Sequence, residues 1–302
     1  MADKQSLFEN LRSNLLAVDS GAVPEQQLIC PLCWTFISFE DLTIEHCIPQ
    51  SVGGRRETLT CKKCNNTSGH ELDHHLTTHQ RSVDAANGHG TMKSRLTFTD
   101  SLSMTTNLRI EPDGGKKFEI VAKASNPKSV DSLLTMGKEG KLPSDEFQIT
   151  IFDMPNPDRV KLALVRAAYL AAFQQLGYEF GFSKSGVFLR SLISAKPLGV
   201  HTLRLLTGFR ANVQNWPDDA RSFILTPFII EGELSNAGST SSAVKCLGLF
   251  ILIKLTIQTS SIHGVVIPAG ESKPSEFLKL LELLAEEKPE KMTFTTKAGF
   301  IG

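Results

Sequence analysis

Apolar residues recur at helical spacing over residues 3–17, where Phe8, Leu11, Leu15 and Leu16 fall on one face. Gly21-Ala22-Val23-Pro24 breaks that pattern. The longest helical pattern is Arg159–Leu176. It is rich in alanine and leucine, opened by Asn156-Pro157-Asp158 and closed by Gly177, and Tyr169, Leu170 and Phe173 mark it as a core helix. Ser185–Ile193 predicts a further helix. So does Ser272–Glu287, capped by Ser272, with Leu278, Leu281 and Leu284 on a shared face. Between these, alternating or continuous apolar runs predict strands at Arg95–Asp100, Thr106–Ile110, Lys117–Ala122, Phe147–Ile151, Ser222–Ile230, Leu247–Thr256 and Gly264–Ile267, with Asp113-Gly114-Gly115 as a turn. The polar stretch after Arg81, SVDAANGHGTMKS, reads as a linker or long loop. The expected fold class is α+β. A small N-terminal unit precedes a mixed α/β domain, divided as an N-terminal helix (1–27), a Cys/His-rich domain (28–90) and an α/β domain (91–302).

Composition narrows the class. A hydrophobic fraction of 41% and a charged fraction of 21% exclude wholesale disorder. Lys+Arg and Asp+Glu are balanced at 32 each, which excludes a globally basic coat protein but not a local basic groove. The N-terminus, Met1 to Glu9, is polar. The most apolar run, Cys246–Ile257, carries Lys254 and falls short of the roughly 20 residues a bilayer span needs. A cytoplasmic protein without a membrane anchor is expected, with its thiols reduced.

The candidate chemistry is concentrated in the first 90 residues, which hold five of the six cysteines and six of the eight histidines. Cys30-Pro31-Leu32-Cys33 and Cys61-Lys62-Lys63-Cys64 each present two thiolates from a tight knuckle, and two knuckles close a tetrahedral Zn²⁺ site with no open position. That zinc is therefore expected to be structural. Cys47 and Cys246 read as core residues. The insertion between the knuckles carries Glu45-His46, then Pro49 and a Gly53-Gly54 turn. Residues 57–60 return to the second knuckle, and Asn65 stands at the start of a helical stretch, GHELDHHLTTHQ. The order is strand, turn, strand, helix: a ββα unit pinned by zinc. It gathers a carboxylate and an amide, hard ligands suited to Mg²⁺, beside an imidazole able to take a proton from water near neutral pH. His70 with His74 and His75 with His79 are i,i+4 pairs, but the sequence offers no carboxylate or cysteine to complete a second site with them.

The segments CPLC, EHCIPQSVGG and CKKCNNTSG together resemble the HNH, or ββα-metal, nuclease superfamily in its zinc-bearing, double-CxxC branch, over residues 28–76. The resemblance implies a metal-dependent endonuclease acting on DNA rather than RNA, in phage defence, restriction or a mobile element. It implies Glu45 and Asn65 as ligands of a catalytic Mg²⁺ or Mn²⁺ and His46 as the general base, with 5′-phosphate and 3′-hydroxyl products. Asp73, two helical turns after Asn65, either reaches that metal through water or is a solvated helix charge. Where the family carries a middle Asn to orient the base, nine residues before the helix-start ligand, this chain has Arg56, which cannot accept an imidazole N–H. A neighbouring carbonyl or the Thr58 hydroxyl is left for that task. Arg55, Arg56, Lys62 and Lys63 flank the centre as candidate phosphate contacts. The alternative reading is a non-catalytic zinc-stabilised module that binds nucleic acid or protein. A homodimer or a partner protein would engage residues 91–302.

Overall fold

The structure is a computed structural model, and it describes residues 3–19, 21, 23–55, 57–99, 102–111, 127–141, 147–209, 216, 222–234 and 242–287. Arg56, the Asp113–Gly115 turn and the strand expected at Lys117–Ala122 lie outside these residues.

In chain order the elements are α1 (Lys4–Val18), β1 (Gln27–Ile29), β2 (Phe36–Ser38), β3 (Leu42–His46), β4 (Glu57–Cys61), α2 (Lys62–Ser68), a π-type turn (Gly69–Asp73) and α3 (His74–Ala86). There follow β5 (Met92–Thr99), β6 (Leu102–Leu108), α4 (Pro127–Lys138), β7 (Gln148–Ile151), α5 (Pro157–Phe182), α6 (Lys184–Ser194), α7 (Val200–Thr207), β8 (Phe223–Leu234), β9 (Ser242–Thr256), β10 (Ser260–Pro268) and α8 (Pro274–Glu287). The architecture is α+β: small two-stranded sheets and short helices around the paired cysteines, then a mixed α/β region. No helix of the described residues is long and apolar enough to cross a membrane.

The chain forms two compact units. The first comprises Met1–Leu76, Asn156–Leu255 and Ser261–Gly302, so β3, β4 and α2 share it with α5. Its centre is α5, whose residues from Leu162 to Phe173 are almost all fully buried. Asn156 starts this helix by accepting from the backbone N–H groups of Asp158 and Arg159. The helix was expected to end at Gly177. Instead it kinks there and continues to Phe182. Gly177 has φ 64°, and a Cβ on it would lie 2.1 Å from Asn14 Oδ1, the atom that accepts the Tyr178 N–H. The site therefore requires glycine. Tyr169 and Tyr178 donate their hydroxyl protons to the carbonyls of Pro31 and Ile29, both at 2.6 Å, clamping the first knuckle onto α5. The same unit holds the sheet β10-β9-β8, in which β8 and β9 pair antiparallel from Phe223↔Ile253 to Leu234↔Ser242. Helix α8 covers this sheet through Phe277, Leu280 and Leu281, with Gly248 leaving room for Phe228 and Phe277 to meet.

The second unit comprises Thr77–Pro155 and Thr256–Ser260. It is built on the antiparallel sheet β6-β5-β7, with the Ser94 and Thr106 hydroxyls bonded at 2.8 Å across β5 and β6. The linker expected from Ser82 is a correction: α3 runs on to Ala86 and β5 begins at Met92. Asp84 explains why a polar stretch stays helical. Its carboxylate accepts from the Thr259 N–H, the Thr259 hydroxyl, the Gln258 N–H and the Gln80 amide, so a tertiary anchor holds the last turns.

Candidate active site

Two knuckles bring the four cysteines together. Cys30 follows β1, and the chain turns back through Trp34 at φ 59°, with the Trp34 N–H bonded to the Cys30 carbonyl at 2.9 Å. Cys61 ends β4, and Cys64 lies in the first turn of α2. The Cys61 and Cys64 amides point at the sulfurs of Cys30 and Cys61, at 3.4 and 3.3 Å. All four Sγ atoms lie within 4.8 Å of one another, and Cys33 Sγ is 3.8 Å from Cys61 Sγ. Tetrahedral zinc with Zn–S bonds of about 2.3 Å requires sulfurs about 3.8 Å apart, so the cluster fits the ion. All six cysteines are free of disulfides.

Above this base, β3 and β4 pair antiparallel with Glu45 opposite Thr58 and His46 opposite Glu57. The turn between them is close. Gly53 has φ 88°, and a Cβ on Gly54 would sit 1.7 Å from the Ile48 carbonyl oxygen. The two candidate catalytic side chains differ in exposure. Glu45 is 3% exposed; Thr60 Oγ1 donates to its Oε2 at 3.4 Å, and Arg166 Nη2 donates to its Oε1 at 2.5 Å. His46 is partly exposed, with Nε2 3.4 Å from Oε1 of the buried Glu57. Asn65 Nδ2 donates to the Ile44 carbonyl at 3.0 Å, tying the start of α2 to β3. Asp73 comes within 3.6 Å of Arg166 Nη1, so one guanidinium lies between two carboxylates. Burial pushes the Asp73 carboxyl up to about 6, against the pull of Arg166. Glu45, Asp73 and Arg166 thus form one group, and His46 with Glu57 another.

Glu57 and Arg166 were not singled out from the sequence. The candidate partner there, Thr58, has a buried Oγ1 with no hydrogen bond among the described residues; Glu57 is the group beside the imidazole. Arg166 did leave a signal, as the lone charge in LALVRAAYLAAF. Of the candidate phosphate contacts, Arg55 is exposed, Lys62 pairs with Asp41 at 3.2 Å, and Lys63 is exposed beside Cys64. Among the histidines, His75 Nδ1 accepts from the Asn156 N–H at 3.4 Å, and burial lowers the pKa of His79. Cys47 and Cys246 are buried.

The Arg166–Glu45 pair makes a stability prediction. Both side chains are almost fully buried, so Arg166→Met strands a buried carboxylate. It should cost about 3–5 kcal/mol in urea unfolding of the zinc-loaded protein. Adding Glu45→Gln to Arg166→Met should recover most of that loss. Additive losses would show that the two side chains are not coupled.

Residues 30–81 match the family model described as HNH endonuclease. This span contains both knuckles, the β3–β4 hairpin and α2. Comparison of the chain with curated proteins and with solved structures returns no match.

Proposed function

We propose that this chain is a metal-dependent HNH endonuclease that hydrolyses phosphodiester bonds in DNA, in the cytoplasm, as part of phage defence or restriction. The observation that carries the reading is Glu45-His46 at the end of β3 in a hairpin pinned by four cysteines, within the span that matches the HNH endonuclease model. His46 is the general base. Glu57 accepts from the Nε2–H of the imidazole, which leaves the Nδ1 lone pair to accept a proton from the attacking water. Glu45 and Asn65 would be the protein ligands of the catalytic ion, and Asp73 shares the Arg166 guanidinium with Glu45. A bound Mg²⁺ or Mn²⁺ supplies charge stabilisation at the scissile phosphate and the departing 3′-oxygen. Arg55, Arg56, Lys62 and Lys63 are the phosphate contacts that hold the duplex. Residues 28–90 are the nuclease domain, and 91–302 choose the target, a second copy or a partner protein.

Glu57 is a positioning residue in this scheme. Glu57→Gln should lower the turnover of DNA nicking by about 10–100-fold, the range for an outer partner that fixes an imidazole's tautomer, with KM little changed. Equal turnover in Glu57→Gln and wild type would remove Glu57 from that role.

One observation favours the alternative of a non-catalytic binding module: Glu45 is already held by a buried guanidinium. Substrate and product analysis tests the main reading. Supercoiled plasmid treated with zinc-loaded protein and Mg²⁺ should yield open circles whose nicks carry 5′-phosphates, and excess RNA should leave the rate unchanged. Intact plasmid bound by the protein would favour the module; inhibition by RNA would redirect the substrate class.

A further inference from the structure

The first unit contains a cavity of about 620 Å³ behind the zinc cluster, bounded by Cys33, by Cys64 and Thr67 of α2, by α5, and by α6 with the segment that follows it. Its walls are divided. Leu72, Leu162, Ile193 and Leu198 supply apolar surface, while Lys63, Arg159, Arg166, Arg190 and Lys196 bring five cations. Glu71 is the one acid among the lining residues, and it sits 3.9 Å from Arg159. Zinc held by four thiolates carries a net charge of −2 beside Cys33 and Cys64, so the cavity keeps a smaller positive excess against half-apolar walls, where fields are less screened than in water.

Two of the cations are fixed in place. Arg190 stacks 3.6 Å from the centre of the Trp34 ring and donates to the Gly181 carbonyl at 2.6 Å. Arg166 is 2% exposed, and its Nε is buried without a hydrogen-bond partner among the described residues. Its guanidinium faces Glu45 and Asp73, so the cations left to meet an anion in the cavity are Lys63, Arg159, Arg190 and Lys196. The volume lies within the range of pockets for small organic ligands, well above what a bare phosphate fills.

We propose that this cavity binds a small phosphate-bearing nucleotide, its phosphates on Arg159 and Lys196 and its base against the leucine-lined wall. The site stands apart from the hydrolytic reading, because it rests on the cavity and its charges alone.

Equilibrium binding to the full-length, zinc-loaded protein in a metal-free buffer tests this without any cleavage. A fluorescent N-methylanthraniloyl-ATP is the probe, and inorganic pyrophosphate, adenosine and a single-stranded oligonucleotide are the competitors. Saturable binding is expected, displaced by pyrophosphate and not by adenosine. Lys196→Glu and Arg159→Gln should each weaken it about tenfold, the effect of losing one charge-assisted contact. Lys184→Glu, an exposed cation outside the cavity, should leave it unchanged. Absence of saturable binding overturns the proposal, as does binding that both cavity variants retain. Displacement by the oligonucleotide but not by pyrophosphate also overturns it, by assigning the cavity to the substrate strand. Zinc content and melting temperature, equal across the variants, keep a folding defect from imitating a lost site. Binding with no plasmid nicking would leave the cavity standing and count against the nuclease reading alone.

Discussion

Stripping zinc, by a strong chelator or by Cys61→Ser, is expected to unfold the β3–β4 hairpin and the start of α2. Cys61 is the last residue of β4 and Cys64 lies one turn into α2, so the cluster is what joins strand to helix. Without metal the four thiols oppose one another. A hydrogen bond from Cys64 lowers Cys30 to about 5, while burial raises Cys61 and the bond to Cys30 raises Cys64. Cys30 ionises readily while Cys61 and Cys64 hold their protons; a dication is needed to ionise them together. Structural zinc contributes about 10–16 kcal/mol in small zinc modules, comparable to the whole stability of a domain. Amide hydrogen exchange should therefore show Leu42–His46 and Glu57–Cys61 losing protection on chelation. Protection that survives complete zinc removal would show that α5, which clamps the first knuckle through Tyr169 and Tyr178, suffices alone.

The second large effect is catalytic. His46→Ala should lower DNA nicking by about 10²–10⁴-fold, the usual contribution of a general base. His46 is partly exposed at a strand end and its contact is with Glu57, so its removal leaves no packed core void. Loss of the imidazole does strand the buried Glu57 carboxylate. Pairing His46→Ala with Glu57→Gln restores that balance, and the double variant should be as slow as His46→Ala alone. A double variant much faster than His46→Ala would mean that the stranded charge, not the missing base, caused the defect.

Local features were the most legible. The doubled CxxC spacing located the metal cluster because ligand spacing within a knuckle is set by the chain itself. The return strand and the Asn65 position followed from their distance to the knuckles, and α5 followed from its composition and its Asn156 cap. What the sequence hid depends on register or on long-range contact. Glu57 meets His46 only because ten residues of turn between the strands set His46 opposite it. Arg166 reaches Glu45 across 121 positions of sequence, and a lone arginine in an apolar helix does not name its partner. The last turns of α3 looked like a loop because Asp84 finds its anchors at Gln258 and Thr259, far along the chain. Gly177 was a stop signal that became a kink, since Asn14 on another helix accepts from the Tyr178 amide there.

One paired rate decides whether Glu45-His46 in this zinc-pinned hairpin is a hydrolytic centre. Supercoiled plasmid is incubated with wild type and with His46→Ala, matched for zinc content and melting temperature, in Mg²⁺ and in EDTA. If the hairpin is that centre, wild type nicks in Mg²⁺ and not in EDTA, and His46→Ala is slower by at least about a hundredfold. Equal nicking by the two proteins, or none by folded wild type in Mg²⁺, would contradict it.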